Sequence, residues 1–127
     1  MLNLRLFLIV SAAFFTLKSF GQTSFNHNYV KICDFNIIND LPETSNCQST
    51  KIVTSLTVDW KLNKAYFYME NGAKINYQID SVRAPNNTSL YFILECTHGT
   101  DPVMIKISII NGSAQIFSPK EFIVLYD

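Results

Sequence analysis

From Ile52 onward apolar and polar residues alternate one by one, and no stretch sustains the wider spacing of an amphipathic helix. Ile52, Thr54, Leu56, Val58 and Trp60 fall on one face of a strand, with Val53, Ser55, Thr57 and Asp59 on the other. The same alternation continues through residues 64–70, 74–83, 89–96, 103–110, 114–118 and 121–126. Upstream, Val30 to Ile38 reads as a first strand with Cys33, Phe35 and Ile37 on one face, followed by a polar loop from Asn39 to Lys51. Turn-forming residues separate the later runs, among them Asn71-Gly72, Pro85-Asn86-Asn87, the segment from His98 to Pro102, Asn111-Gly112 and Ser118-Pro119. About eight short strands in this arrangement describe an all-β antiparallel meander. Such a sheet buries its apolar face by closing, so a small barrel or sandwich is expected.

Two hairpins carry more detail. A two-residue turn at Asn111-Gly112 pairs Ile109 with Ala114 and Ile107 with Ile116, which puts apolar side chains on one face. Around Asn71-Gly72 two registers compete. A two-residue turn sets Tyr66 against Tyr77 and Tyr68 against Ile75, lining the inner face with tyrosines. A three-residue Glu70-Asn71-Gly72 loop, with Gly72 left-handed, sets Phe67 against Ile75 and Ala65 against Tyr77. Tyr66 and Tyr68 then join Lys74, Asn76 and Gln78 outside. One residue of slip exchanges the two faces, and the second register separates polar from apolar more cleanly.

Residues 1–21 stand apart from this pattern. Arg5 precedes a short apolar run from Leu6 to Leu17, and Ser19-Phe20-Gly21 supplies small residues at the positions read by a signal peptidase. The segment therefore reads as a cleavable export signal, with Gln22 opening a single β-rich domain over residues 22–127. A retained anchor is the alternative, but the run is well short of the roughly 20 apolar residues of a span, and Lys18 closes it. The first cysteine, Cys33, lies too far downstream for lipoprotein-type anchoring. The expected location is periplasmic or extracellular, with no membrane span after cleavage.

Removing Arg5 and Lys18 with the leader leaves eight basic against ten acidic residues, a mildly acidic domain. Its basic residues occur singly, so a nucleic-acid footprint is missing and no such partner is expected. Export permits disulfides, and Cys33, Cys47 and Cys96 allow three pairings with one thiol left over. Cys33–Cys47 is the favoured pair, because it restrains a turn-rich segment at a gain of about 3 kcal/mol. Cys96 lies in phase with Leu90, Phe92 and Leu94 and reads as a small buried hydrophobe.

Chemical equipment is sparse. His27 lies near the new N-terminus, in a segment expected to be mobile, and His98 follows Cys96 in a turn. Cys96 with His98 lacks an orienting third group, and adding Asp101 gives no recognised metal spacing. Asp59, Asp80 and Glu95 fall on outward strand faces, and no nucleotide-binding or hydrolase signature occurs. No catalytic residue, metal or cofactor is expected. Two overlapping sequons in Asn86-Asn87-Thr88-Ser89 and a third in Asn111-Gly112-Ser113 read as turn sequences.

Aromatic residues are what remain. Tyr66, Tyr68, Tyr77 and Tyr91 cluster in the central strands, beside Asn76 and Gln78. Strand propensity and core packing account for many such residues. Facing inward, the tyrosines would line a small apolar cavity; facing outward, Tyr66 and Tyr68 would form a flat patch for a glycan, peptide or protein. The Ser-Phe-Gly-Gln junction, the strand pattern and the terminal Phe-Ile-Val-Leu-Tyr run resemble small uncharacterised exported β-proteins of Bacteroidota. That resemblance implies export and carries no chemistry. The expected function is a non-enzymatic β-domain that binds a small ligand, a glycan or an envelope protein. The alternatives are an accessory envelope protein with no ligand site and, less favoured, a small hydrolase.

Overall fold

The computed structural model describes residues 21–85 and 90–127. Residues 1–20 of the expected export signal (residues 1–21) and the sequons at residues 86–89 lie outside them. Eight strands follow in chain order: β1 (Gln22–Ile38), β2 (Leu41–Asp59), β3 (Lys64–Met69), β4 (Lys74–Arg83), β5 (Tyr91–His98), β6 (Asp101–Ser108), β7 (Ala114–Phe117) and β8 (Glu121–Tyr126). Each pairs antiparallel with its neighbour. β8 returns to β1, with Tyr126 opposite Tyr29 and Glu121 opposite Asp34, so the meander closes as a barrel.

Closure is what the alternation requires. Leu56, Val58, Phe67, Phe92, Leu94, Ile105, Ile107, Ile116 and Leu125 point inward and are almost fully buried. An eight-stranded barrel has an interior just wide enough for such side chains to fill. The inward face is thus apolar and packed, the reverse of the polar lumen of an outer-membrane barrel. No helix among the described residues is long and apolar enough to cross a membrane.

The β3–β4 hairpin adopts the three-residue loop. Phe67 pairs with Ile75 and Ala65 with Tyr77, Met69 N donates to Ala73 O at 2.9 Å, and Gly72 sits at φ 96°. The β6–β7 turn departs from expectation. Ile107 pairs with Ala114 and Ile105 with Ile116, so four residues, Ile109 to Gly112, form the loop rather than two. A displacement of two residues keeps each side chain on its face, which is why the apolar pattern could not reveal it.

The wider loop folds over one end of the barrel. Gly112 N donates to Ser108 O at 2.9 Å, and the Gly112 carbonyl accepts from His27 Nε2 at 2.7 Å. Gly112 has φ 70°, and a β-carbon there would stand 3.0 Å from the Phe25 ring; one at Gly72 would meet open space. Left-handed φ alone costs an L-residue about 1–2 kcal/mol. Gly72→Ala is expected to show that cost, and Gly112→Ala to exceed it by displacing Phe25. Equal urea midpoints for the two variants would refute this reading.

Two other expectations need correction and one needs refinement. The first strand is not confined to Val30–Ile38, because β1 begins at Gln22; Gln22 to His27 pair with Asp59 to Thr54, which ties down the segment expected to be mobile. His27 is buried in that strand, with its Nδ1 and the Thr54 hydroxyl opposite lacking hydrogen-bond partners. The polar loop from Asn39 to Lys51 is instead an Asn39-Asp40 turn followed by β2. Both turn residues have positive φ, as a tight two-residue hairpin requires. Backbone pairing, not side-chain burial, makes that segment a strand, so it leaves no apolar alternation. Asp59 does lie on the outer face, level with Gln22 and Lys64, but it is only 6% exposed because Gln22 and the β2–β3 turn cover it. Its carboxylate accepts from Gln22 Nε2 at 3.0 Å and from the backbone of Leu62 and Lys61, which holds its pKa below the usual value.

The corrected hairpin projects from the barrel. β1 contacts β8 only as far as Asp34, with one further bond from Phe35 N to Lys120 O at 2.9 Å. β2 meets β3 only from Thr54, with one further bond from Glu70 N to Val53 O. Between these points lies a two-stranded arm, joined at its base by the Cys33–Cys47 disulfide. At its end Ile37, Ile38 and Leu41 are 70%, 48% and 64% exposed.

Candidate functional site

The turns β1–β2, β3–β4, β5–β6 and β7–β8 gather at the end of the barrel from which the arm projects. The opposite end is filled by Phe25 and Trp60, whose rings lie 6.0 and 5.8 Å from Phe92. At the arm end the filling stops short, leaving a mouth of about 390 Å³. Ile75, Tyr77, Val103, Ile116 and Ile123 form its apolar wall, and His98, Asp101, Lys120 and Glu121 stand around it. The wall residues are the inward positions next to the turns, with Tyr77 one step deeper than Ile75 on β4. Tyr77 is there because the three-residue β3–β4 loop sets it opposite Ala65.

Tyr77 packs its ring against His98, centroids 5.8 Å apart and nearly edge-on. Burial, reinforced by the negative charge available to Cys96 and Glu121, pushes its phenol up to about 12. It therefore remains a neutral hydroxyl at physiological pH. Cys96 is likewise pushed up to about 12, first by burial and then by Asp80, which keeps it a thiol. A protonated buried thiol is a poor nucleophile, so pairing with His98 gives no activated cysteine. No group of three or more His, Cys, Asp or Glu side chains suited to a metal occurs among the described residues.

The tyrosines singled out by sequence are divided among three places. Tyr66 and Tyr68 lie on the outer face of β3, 6.2 Å apart, with Lys74 Nζ 5.3 and 5.2 Å from their ring centroids. Asn76 pairs across from Tyr66, and Gln78 donates to Asn63 O at 3.0 Å, so both belong to that outer face. Tyr77 alone faces inward. Tyr91 stands on the outside of β5, with Lys106 Nζ 5.9 Å from its ring. The four tyrosines thus form no common site, and Lys74 already occupies the space by the exposed pair. Cys33 and Cys47 are joined, while Cys96 is free and buried.

Of the mouth residues, the sequence marks Tyr77 as a binding candidate and His98 and Asp101 only as members of a nucleophile or metal set; it gives no signal for the others. Ile75, Val103, Ile116 and Ile123 look like ordinary core positions, and their nearness to strand ends is the one local cue. Comparison of the chain with protein-family models, curated proteins and solved structures found no match.

Proposed function

We propose that this is an exported, non-enzymatic β-barrel domain that binds a small amphipathic molecule in its open mouth. The observation that carries the reading is the cavity of about 390 Å³ with an apolar wall and charged residues around it. Such pockets bind by burying apolar surface and orient the ligand with a few polar groups. The Tyr77 hydroxyl is a neutral donor for that purpose, and Lys120 offers a cation. The leader pattern of residues 1–21 supports export, as does the Cys33–Cys47 disulfide.

Anilinonaphthalene sulfonate, an apolar ring system with one anionic group, is a suitable probe. The folded protein is expected to bind it saturably, with enhanced fluorescence. Ile75→Trp, which fills the mouth, is expected to weaken binding at least tenfold without lowering the unfolding temperature. Tyr66→Ala, on the outer face, is expected to leave binding unchanged. Absence of saturable binding would overturn the reading and favour an accessory envelope protein with no ligand site. Loss of binding in Tyr66→Ala rather than Ile75→Trp would move the site to the outer tyrosines.

A further inference from the structure

The mouth continues into a second depression. Between the arm and the barrel runs a groove of about 550 Å³, with Phe35 and Ile37 on the arm side and Pro102, Met104 and Phe117 on the barrel side. Val103, Ser118 and Pro119 line both the groove and the mouth, so the two spaces share a wall and form one track. Resting on the mouth as a ligand site, we infer that the ligand is a fatty acid whose single acyl chain lies along this track, with its carboxylate beside Lys120.

Three observations select that occupant. The groove, at about 550 Å³ beside the mouth's 390 Å³, gives more room than a compact ring system needs. Its walls are aromatic, aliphatic and thioether groups, with Glu95 the one charged residue among them. An extended peptide would bring a row of backbone donors and acceptors against this surface. Pro102 and Pro119 have no N–H to answer them, and leaving such groups unpaired is costly. An alkyl chain makes no such demand. Glu95 in the groove is paired with Arg83 at 3.1 Å, and the one cation at the mouth is Lys120, beside Asp101 and Glu121 on the rim; its β7–β8 turn is fixed by Ser118 N donating to Glu121 O at 2.9 Å. Phe35 is held over the groove by its bond to Lys120 O and by its edge-on contact with Phe117, centroids 6.2 Å apart. The arm thereby acquires a purpose, since its two apolar residues Phe35 and Ile37 form the outer wall.

The test is a homologous series of hexanoate, octanoate, decanoate and dodecanoate, titrated below their micelle concentrations against the full domain. Each buried methylene contributes about fourfold in affinity. Affinity is expected to climb by nearly that factor per methylene across the whole series. In Ile37→Asp and Met104→Lys, which place charge on opposite walls of the groove, the climb is expected to stop after octanoate, with hexanoate affinity and unfolding temperature retained. Lys120→Gln is expected to weaken every member by a similar factor, and the matching alcohols are expected to lose the dependence on Lys120. If anilinonaphthalene sulfonate binds at the mouth but affinity is flat with chain length, the acyl-chain inference fails and the mouth survives. If neither probe binds, both fail. A climb that persists unchanged in both groove variants would also overturn the inference, because the chain would then lie elsewhere.

Discussion

Phe92→Ala is expected to cost about 3–5 kcal/mol, the range for an aromatic ring removed from a packed core. Phe92 is fully buried, faces Ile107 across the β5–β6 ladder, and is flanked by the rings of Phe25 and Trp60. Those neighbours belong to β1 and to the β2–β3 turn, held in place by backbone pairing, so they have little freedom to collapse into the void. Trp60 is further tied by a bond from its Nε1 to the Thr23 hydroxyl at 3.1 Å. A domain of this size has a stability of roughly 5–15 kcal/mol, so the loss would remove a large share of it. Urea unfolding followed by tryptophan fluorescence reads the effect directly. Ile110→Ala, at a side chain 74% exposed, serves as the comparison and is expected to change stability by about 0.5 kcal/mol or less. If Phe92→Ala unfolded at the same urea concentration as Ile110→Ala, the packed-interior description would be wrong.

The second large effect concerns the arm. Replacing Cys33 and Cys47 together by serine is expected to remove about 3 kcal/mol of stabilisation from the hairpin beyond them, on loop-closure entropy. An unsupported two-stranded hairpin is marginal in water, and residues 41–51 are almost wholly exposed, so side-chain burial offers no substitute. The loss should be concentrated there. Amide exchange in residues 36–48 is expected to approach that of an unfolded chain, while the amides of β5 and β6 stay protected. Uniform loss of protection throughout the barrel would mean that the arm and barrel unfold as one unit. Unchanged protection in the arm would mean that its order does not depend on the bond. Because Phe35 and Ile37 form one wall of the groove, the same variant is expected to lose the chain-length dependence of fatty-acid binding while keeping the mouth.

Much of the barrel was legible in the chain. The inner face of β2, the sides occupied by Phe67 and Tyr77, and the burial of Cys96 all follow from alternation, which is a property of neighbouring residues. The β3–β4 register was legible for the same reason, since the competing slip would have exposed Phe67. Errors arose where pairing leaves no side-chain signature. β1 begins in Gln-Thr-Ser-Phe-Asn-His-Asn and β2 in a run of polar residues, and both are strands because backbone groups find partners across the hairpin. The length of the β6–β7 loop leaves no trace in the pattern, because a shift of two residues preserves every face. Its true length is set by Gly112, which covers Phe25 and accepts the His27 hydrogen bond from a strand 85 residues away.

The sequence by itself determined the all-β class, the number of strands and most of the inward-facing set, and it favoured the cysteine pair that forms without deciding among the three. These depend on local alternation, turn chemistry and loop length. The tertiary structure alone decided that one end of the barrel is plugged and the other open, and that the Cys33–Cys47 hairpin stands beside the mouth as an arm. Each of those outcomes depends on which distant strands meet when the sheet curls and closes, and curvature over eight strands is encoded in no single stretch of the chain.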